Sequence, residues 1–369
     1  MRVTLKQVAT KAELSVSTTS RALNGHPAIS DETTARVRRI AGELRYHPVR
    51  SHRRASATTK SLLAGRCIAI ASLGLDRSLV TMPVISAAFH GAEDALLEGG
   101  ATAQIVHMPD LSRYPNDFKP ERFDGLILTG AMVNQFELAA DTPAVKQLRK
   151  LPTVWVLGEP PGAWGDAVVA NEFMVGSGAA EELVARGHRE LAFLNPVPDN
   201  LLFARREDGF YSAARRLGAN VRSFCQSSPS GWPLPLQAPN SAYDVVQSLI
   251  DQILESTPRP TAVFAAADSI AALAYCVFGV RGVRVGHDIS IIAGNNTPGL
   301  LSAPYPHLAT FDIHARKIGA MAVKQLAMKI ADQNRGQNGT SQAQHIPWQI
   351  VVKPTFIPGE SVCDLTGST

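Results

Sequence analysis

The sequence predicts an all-α head at the N-terminus, followed by a larger α/β body of two lobes. This prediction rests on helically spaced apolar residues in the first 48 residues, on alternating strands and helices in the rest of the chain, and on charge. Residues 1–66 contain 13 basic residues (Lys or Arg) and 4 acidic residues (Asp or Glu), which gives a net charge of +9. The rest of the chain contains 23 basic and 28 acidic residues, which gives a net charge of −5. A basic head on a mildly acidic body is typical of a polyanion-binding module joined to a separate globular unit.

Two short helical patterns, joined by a tight turn, occupy the first 25 residues. Thr4 can cap the first helix with Gln7 three residues later, and Ser15 can cap the second. The residues expected to face a small core recur at helical spacing and are Leu5, Val8, Ala9, Ala12, Thr19, Ala22 and Leu23. The arrangement predicts a helix-turn-helix, whose second helix contacts the bases of duplex DNA.

A third helix is predicted after Ser30, which can act as its N-cap. Its expected inner face consists of Val37, Ile40, Ala41 and Leu44. The helix should end near Tyr46, because Pro48 disfavours helical geometry in the residue before it. The alternative, a solvated helical bundle without a ligand, leaves the charge of +9 unexplained, since phosphate neutralisation provides most non-specific DNA affinity.

The rest of the chain alternates strand-like and helix-like segments. The predicted strands are Cys67–Ser72, Gln104–His107, Gly125–Thr129, Thr153–Leu157, Leu191–Leu194, Ala262–Ala266 and Ser290–Ala293. The predicted helices are Ile85–Glu98, Glu172–Arg186, Arg205–Leu217, Tyr243–Glu255 and Ser269–Phe278. One ordinary doubly wound domain does not contain this many strand–helix units. Two lobes are therefore expected, with a ligand cleft at the carboxyl ends of the strands. Ala331–Gln344, rich in Gln, Asn and Gly, is predicted to be an exposed loop before a last strand, Trp348–Val352.

Several function classes are disfavoured because their motifs are absent. The sequence has no GxxxxGK[ST], GxSxG or HExxH, and no GxGxxG after a strand, so neither enzymatic activity nor a cofactor is expected. The four cysteines form no CxxC pair, so neither a disulfide framework nor a metal site is expected. Gly176–Ser177–Gly178 has the wrong spacing for a phosphate loop and is interpreted as a helix start, while His188 should mark a helix-to-strand turn. The N-terminus has no apolar signal region, which favours a cytoplasmic protein without a membrane contact.

Residues 3–48 resemble the DNA-binding head of the LacI-type (lactose/purine repressor) family of bacterial transcription regulators. The segment SVSTTSRALNG is the most specific part of the match. Weaker similarity continues through FDGLILTG, NEFMVGSGAAEELVARGHRELAFL, PTAVFAAADSIAALA and VGHDISIIAGNNTPGL, and these segments cover most of the chain. The resemblance implies a periplasmic-binding-protein-like body of two Rossmann-like subdomains, joined by crossing segments.

By this resemblance the chain divides into three parts: a helix-turn-helix DNA-binding domain at 1–48, a hinge or linker at 49–66, and an effector-binding and dimerisation body at 67–369. The two lobes of the body are expected at about 67–165 plus 296–328 for the first, and about 166–295 plus the C-terminal part for the second.

The resemblance also assigns DNA-contacting roles in the head. Val16, Ser17 and Arg21 match the base-reading positions, with solvent exposure as the alternative for Val16 and Ser17. Arg21 is the strongest candidate, because a guanidinium can hold both O6 and N7 of a guanine. The positions expected at the phosphate backbone are Thr4, Thr18, Ser20 and Asn24. One recognition helix reads only a few base pairs, so we expect a homodimer on a near-palindromic double-stranded operator.

The hinge departs from the family pattern. Arg50, Arg53 and Arg54 are expected to hold phosphates or a narrow minor groove, but Ala55 stands where the family has a leucine that wedges into the minor groove. Either the wedge is absent and the operator is bent little, or inserted residues shift the hinge so that Leu62 or Leu63 takes the role.

Three residues are candidates for the effector site. Arg206 matches a family arginine that binds the small molecule, with a surface helix cation as the alternative. Asp268 follows the strand TAVFAAA at a strand end where ligands bind, and it could also cap the next helix. Asn295 follows the strand SIIAG where the family usually has a ligand-binding Asp, with an ordinary turn residue as the alternative.

Other departures concern the turn of the head and the pocket. Glu13 stands where the family has a turn glycine, at a cost of roughly 1 kcal/mol if the backbone there is left-handed. Leu157 stands where an Asp is common, so the pocket has fewer acidic acceptors than that of a typical sugar-binding member. The expected effector is nevertheless a sugar or a related metabolite.

These observations lead to one functional expectation, a sequence-specific DNA-binding transcription regulator. We expect a repressor whose operator affinity changes when a small-molecule effector binds between the two lobes. The alternative is an effector-blind constitutive or architectural DNA-binding regulator with a degenerate pocket. A transporter's solute-binding protein is disfavoured by the basic head and by the lack of a signal region.

Overall fold

A computed structural model describes residues 5–15, 18–19, 22, 31–43, 62–111, 118–133, 138, 142–226, 242–301, 305–337 and 346–366. The chain divides into two compact units, Met1–Ala57 and Thr58–Thr369. The dividing point falls inside the predicted hinge, 49–66. Each unit has its own apolar core, and we call the first unit the head and the second the body.

The head has the small core that its sequence predicts. Its described helices are α1 (Leu5–Lys11) and α2 (Asp31–Glu43), and Thr18, Thr19 and Ala22 are helical as well. The core side chains are Val8, Ala12, Ala22, Val37, Ile40 and Ala41. Ala9 and Thr19 are also buried, as expected, while the side chains of Leu5, Leu23 and Leu44 lie outside the described residues.

The turn after α1 contains a non-glycine residue with a positive φ. Glu13 has a φ of 55°, which lies in the left-handed region that favours glycine. Ser15 acts as the predicted N-cap, because its Oγ accepts a hydrogen bond from the amide of Thr18 at 3.0 Å. The other two predicted caps, Thr4 and Ser30, lie outside the described residues.

The body is built from alternating strands and helices. Its described strands are β1 (Cys67–Leu73), β2 (Thr102–Met108), β3 (Gly125–Gly130), β4 (Thr153–Val156), β5 (Asp166–Ala170), β6 (Glu190–Asn195), β7 (Asn220–Cys225), β8 (Ala262–Ala265), β9 (Ser290–Asn295), β10 (Ala309–Asp312), β11 (Gln349–Val352) and β12 (Thr355–Ile357). Its described helices are α3 (Arg77–Val80), α4 (Pro83–Gly99), α5 (Pro143–Leu148), α6 (Glu172–Ala185), α7 (Leu201–Arg216), α8 (Ala242–Glu255), α9 (Asp268–Val280) and α10 (Ala315–Gln337), with a short 3₁₀ helix at Pro120–Arg122.

The strands form two six-stranded sheets. The first has the order β11-β5-β4-β3-β1-β2, and all its pairs are parallel. The second has the order β12-β10-β9-β8-β6-β7 and is parallel except for β12, which runs antiparallel to β10. Parallel sheets are covered on both faces, which explains the continuous apolar runs in β1, β3, β4 and β8.

The helices cover the sheets in pairs. In the first lobe α10 packs against α4 and against β3, β4 and β5. In the second lobe α6 packs against α7, and α8 packs against α9. The chain passes from the first sheet to the second after β5, returns through α10, and crosses again between β11 and β12.

The observed lobes differ from the predicted ranges. β5 belongs to the first sheet, although the second lobe was expected to begin at 166, and β10 belongs to the second sheet, although 296–328 was assigned to the first lobe. β11 also returns to the first sheet, where it pairs with β5. These assignments depend on backbone hydrogen bonds between segments far apart in the chain, which local sequence patterns do not reveal.

The predicted exposed loop at Ala331–Gln344 is wrong in its first half, because α10 continues to Gln337. Earlier in α10, Ile318, Ala322, Leu326 and Ile330 are buried at helical spacing. Once a helix is anchored in this way, each further residue adds a hydrogen bond at little cost, and polar composition does not stop it. Residues 338–344 lie outside the described part of the chain.

His188 marks the turn between α6 and β6, as predicted. It is fully buried: its Nδ1 accepts a hydrogen bond from the Thr261 hydroxyl at 2.8 Å, and its Nε2 donates to the carbonyl oxygen of Cys363 at 3.2 Å. Burial lowers the pKa of this imidazole, which keeps it neutral. His188 therefore fastens the C-terminal segment to the second sheet.

Candidate functional site

A cavity of about 330 Å³ lies between the two lobes of the body. On the first-lobe side its lining follows β1, β3 and β4, and on the second-lobe side it follows β6, β8, β9 and β10. The cavity thus lies at the carboxyl ends of the strands of both sheets, which is where open α/β sheets bind ligands. Its volume is at the lower end of the range of small-molecule sites.

The described lining of the cavity is mostly apolar, because 15 of the 22 described lining residues carry apolar side chains. The first lobe contributes a wall that includes Leu75, Leu79, Met82, Ile85, Met132 and Leu157. The second lobe contributes Val197, Leu202, Phe203, Ile270, Leu273 and Ile313. The part of the lining that the structure describes has six polar side chains: Thr129, Glu172, Asn200, Arg206, Ser269 and Asn295.

Arg206 lies on α7 and is 1% exposed, which rules out the alternative of a surface helix cation. Its Nε donates to Glu172 Oε2 at 2.6 Å. Its Nη1 donates to the carbonyl oxygen of Ala266 at 2.6 Å, and its Nη2 donates to Asn295 Oδ1 at 2.8 Å. These bonds use three of the five guanidinium N–H groups and hold the side chain at the edge of the cavity.

Glycines allow α6 and α7 to cross closely enough for this ion pair. A Cβ at Gly176 would lie 1.8 Å from the carbonyl oxygen of Arg206, and a Cβ at Gly209 would lie 2.0 Å from that of Phe173. Any side chain at either position would therefore push the helices apart. The crossing brings Glu172, in the first turn of α6, to Arg206 on α7.

Glu172 is the residue that the sequence analysis missed. It is 4% exposed, it lines the cavity, and it neutralises Arg206. A signal was present, because Glu172 follows a buried strand and precedes an apolar helix face. An acidic residue in that context is buried only with a partner.

Asn295 and Arg206, both predicted, are brought into contact at the cavity. Asn295 ends β9 with a φ of 124°, in the positive-φ range that non-glycine residues rarely adopt. It is therefore a strand-end residue with a side chain engaged by Arg206, and its turn geometry and its position in the cavity lining are compatible.

Asp268 lies behind the cavity and is not one of its lining residues. Its Oδ1 accepts a hydrogen bond from the Thr310 hydroxyl at 2.6 Å, and its Oδ2 accepts one from the amide of Thr297 at 2.5 Å. The cap position of α9 is Ala267, without a side-chain cap bond, so the alternative role of Asp268 as N-cap is not observed. Burial raises the pKa of this carboxyl, although both hydrogen bonds and Arg206 oppose the shift.

Leu157 is the most unusual residue of the first-lobe wall. It follows β4 with a φ of 68°, in the left-handed region that a branched apolar side chain rarely adopts. It is 6% exposed and lines the cavity.

Most of the predicted DNA contacts lie outside the described residues: Thr4, Val16, Ser17, Ser20, Arg21, Asn24, Arg50, Arg53, Arg54 and Ala55. Thr18 is described, and its hydroxyl lies 2.8 Å from Ser15 Oγ. Of the two alternative wedge residues, Leu63 is fully buried in the core of the body, and Leu62 packs against the same core. Leu63 is therefore held by the body rather than presented to DNA.

Comparison with known proteins agrees with this division into a head and a body. Residues 4–49 match the family described as "Bacterial regulatory proteins, lacI family". The chain belongs to the lacI family. Residues 180–362 of this lacI-family protein match "Periplasmic binding protein-like domain", in accordance with the two-lobed body. The protein is a DNA-binding transcriptional regulator of the repressor type with an effector-binding domain.

Relatives of this lacI-family regulator match it over most of its length. It is 27% identical over 369 residues to the HTH-type transcriptional repressor PurR of Pectobacterium carotovorum subsp. carotovorum, covering 98% of this chain and 97% of the relative. It is 29% identical over 331 residues to the HTH-type transcriptional regulator GntR of Pseudomonas aeruginosa, covering 89% of this chain and 90% of that protein.

Solved structures of lacI-family regulators share the fold. The transcriptional regulator CelR in complex with cellobiose has a TM-score of 0.59 at 20% identity, and the lac repressor dimer bound to operator and the anti-inducer ONPF has a TM-score of 0.60 at 19% identity. Both matches cover 98% of this chain and 100% of the other. Among the described residues, no helix combines the length and the apolar composition that a bilayer span requires.

Proposed function

We propose that this regulator is a homodimeric repressor that binds a near-palindromic operator, and that a small molecule in the cavity between the lobes changes its operator affinity. The observation that carries the proposal is the arrangement around Arg206. Its guanidinium is held by Glu172 from the start of α6, Ala266 from the end of β8, and Asn295 from the end of β9. A buried charge held from three elements at a cavity edge is a fixed anchor for a ligand.

In the head, we propose that Arg21, Val16 and Ser17 contact base edges, while the polar residues around them position the duplex. The phosphate contacts proposed are Thr4, Thr18, Ser20 and Asn24. The net charge of +9 in residues 1–66 supports this assignment, because it supplies the electrostatic part of the affinity. With operator DNA as its proposed partner, the protein is expected to act in the bacterial cytoplasm.

In the hinge, we propose that Arg50, Arg53 and Arg54 contact the DNA backbone and that no leucine wedge is inserted at Ala55. The burial of Leu63 in the body core supports this version over the shifted hinge. An operator bound in this way should be bent little, because an alanine methyl offsets little of the cost of unstacking a base step. Gel shifts with circularly permuted operator fragments measure the bend, and Ala55→Leu should increase it.

Arg21→Ala tests the DNA-binding part. Loss of a bidentate guanine contact should reduce the preference for operator over random DNA by about 1–3 kcal/mol, while the thermal stability is unchanged. The operator is obtained by selection from a random duplex library, and binding is measured by fluorescence anisotropy at one salt concentration. Arg36→Ala, at an exposed position on α2, is the matched control and should leave the preference intact. An unchanged preference in Arg21→Ala would remove Arg21 from the base contacts.

A second candidate function, the effector-blind regulator, is favoured by one observation: protein groups already engage three of the N–H groups of Arg206. The two functions differ in a single measurement. If a molecule that binds the cavity shifts operator affinity, the protein is effector-responsive. If such molecules bind and the affinity stays constant, the effector-blind function is correct.

A further inference from the structure

The chemistry of the cavity lining points to a class of ligand. We propose that the cavity binds an uncharged, largely apolar small molecule with one hydrogen-bond acceptor at one end. This inference rests on the proposed function of the cavity as the effector site. The proposed ligand differs from the sugar that the sequence led us to expect. The difference follows from the first-lobe wall, the charge at Arg206 and the conformation of Leu157.

The described part of the first-lobe wall offers a polar ligand almost no hydrogen-bonding side chains. It is formed by aliphatic and thioether side chains such as Leu75, Leu79, Met82 and Ile85, and among its described residues Thr129 supplies the single polar side chain. A sugar carries several hydroxyl groups on both faces of its ring. Each hydroxyl left without a partner against this wall would lose its hydrogen bonds to water, which is costly. An apolar molecule gains affinity from the same surface.

Leu157 shows that the apolar wall is maintained against a local conformational preference. At a φ of 68°, a left-handed backbone suits Asn, Asp or Gly, and it disfavours a leucine. The position nevertheless holds a leucine that lines the cavity and packs in the apolar core. Strained residues of this kind are characteristic of functional sites, where the surrounding structure fixes the side chain in place.

The polar end of the cavity is neutral overall. Arg206 is paired with Glu172 at 2.6 Å, with both side chains at most 4% exposed, so the charge of the guanidinium is already compensated. A ligand carboxylate would therefore meet a guanidinium whose charge Glu172 already balances, and it would be repelled by the Glu172 carboxylate. A neutral acceptor, such as a carbonyl or hydroxyl oxygen, can instead take the remaining N–H groups of Arg206 without a charge penalty.

The test uses N-phenyl-1-naphthylamine, a neutral dye that fluoresces when it enters apolar surroundings. Full-length protein is titrated with the dye, and saturable binding of one dye per chain is expected. Competitors are then added in matched pairs. 1-Octanol should displace the dye more effectively than octanoate, which has the same body and a negative charge, and glucose and ribose should displace none.

Two wall variants locate the binding. Leu157→Asn keeps a residue that accepts the left-handed backbone but replaces the apolar surface, and it should weaken dye binding about tenfold or more. Leu79→Asn, on the half-buried helix α3, tests the same wall at a position where misfolding is not expected. Leu157→Met should bind like the wild type, and Leu365→Asn, an exposed leucine outside the cavity, is the control for the substitution itself.

The outcomes separate the ligand class from the effector function. Non-saturable dye uptake, or equal affinity in the wild type and both Asn wall variants, overturns the proposed ligand class. Displacement by glucose or ribose, or octanoate binding as tightly as 1-octanol, overturns it as well. Operator affinity is measured in the same samples. If the dye and 1-octanol bind as expected and operator affinity is constant, the ligand class is supported and the effector function fails. If a sugar shifts operator affinity and neither apolar probe binds, the effector function stands and the ligand class is wrong.

Discussion

Each lobe of the body buries a carboxylate–cation cluster, and the two clusters lie at opposite ends of their strands. At the amino end of β5, fully buried Asp166 accepts hydrogen bonds from Gln325 Nε2 at 2.8 Å and from Lys329 Nζ at 3.1 Å, both on α10. At the carboxyl ends of the second sheet, Glu172 accepts from Arg206 at 2.6 Å. The second cluster lines the cavity and the first does not.

This comparison shows that the burial of a charged side chain is not by itself sufficient to identify a ligand site. Asp166 also accepts a hydrogen bond from the amide of Trp348 at 3.1 Å, so it joins β5, α10 and the start of β11 across 182 residues. These three contacts all lie within the first lobe. Arg206 likewise joins distant segments, but it does so at the end of the sheet where a ligand can reach it. Stability should therefore depend on both clusters, and ligand binding on one.

The largest expected effect is that of Asp166→Asn on stability. Removing the carboxylate leaves the buried ammonium of Lys329 unpaired, which should lower the free energy of unfolding by about 3–5 kcal/mol. Denaturant titration of the full chain measures this. Adding Lys329→Met should recover much of the loss, because no buried charge then remains. The folded single variant should keep its dye binding, and a loss of binding would show that the two clusters are coupled.

Arg206→Met should affect both the stability of the protein and its response to ligands. Glu172 loses its partner, so we expect a loss of about 3 kcal/mol, near the low end for a buried pair because the cavity gives the carboxylate some access to water. Unlike Asp166→Asn, this variant should also lose the response of operator binding to cavity ligands. The double variant Arg206→Met with Glu172→Gln should regain stability but not the response. A double variant that responds normally would place the ligand anchor elsewhere.

Gly176→Ala should have an intermediate effect, because its Cβ would lie 1.8 Å from the carbonyl oxygen of Arg206. Forcing α6 and α7 apart should cost about 1–3 kcal/mol and weaken dye binding by displacing the guanidinium. Gly279→Ala is the matched control: nothing lies within 4 Å of its Cβ position, so it should be neutral or stabilising by about 0.4–1 kcal/mol. Equal effects of the two substitutions would mean that the close helix crossing does not position Arg206.

The smallest expected effect is a pH dependence from Asp268, whose pKa is raised by burial. As the pH falls, a carboxyl group with a higher pKa in the folded state becomes protonated in the folded state before it does so in the unfolded state. The free energy of unfolding should therefore rise, relative to Asp268→Asn, as the pH falls from neutral through the raised pKa towards the unfolded value of about 3.9. Denaturant titrations of both proteins between about pH 7 and pH 4 measure the difference. A difference that does not change with pH would contradict the raised pKa.

Local patterns were sufficient for much of the body. The apolar run at Cys67–Ser72 is β1 with one residue added, and the helix predicted at Glu172–Arg186 is α6 to within one residue. Such elements are predictable because their own side chains decide the period and the burial. β5, β7, β10 and β12 were not predicted. β12 has only three residues and gains its structure from pairing with β10.

The candidate site was predictable only in part, because some of its contacts join segments that are distant in the chain. Arg206 and Asn295 could be placed at the cavity from their matches to a family pattern, and their contact at 2.8 Å agrees with that placement. The sequence could indicate that Glu172 has a buried partner, but not that the partner is Arg206, because their contact arises from a helix crossing that depends on Gly176 and Gly209, 33 residues apart. The compensation of the Arg206 charge was therefore not predicted from the sequence.

By itself, the sequence determined the basic helix-turn-helix head, the strand–helix alternation of the body, and the family to which both belong. These features are local, since they depend on spacing, caps and charge along a continuous stretch of chain. The tertiary structure decided which strands share a sheet, that the Arg206 charge is compensated by Glu172, and that an apolar wall faces it across the cavity. Those properties depend on contacts between segments that are distant in the chain, and they set the chemistry of the ligand because desolvation acts on the assembled cavity.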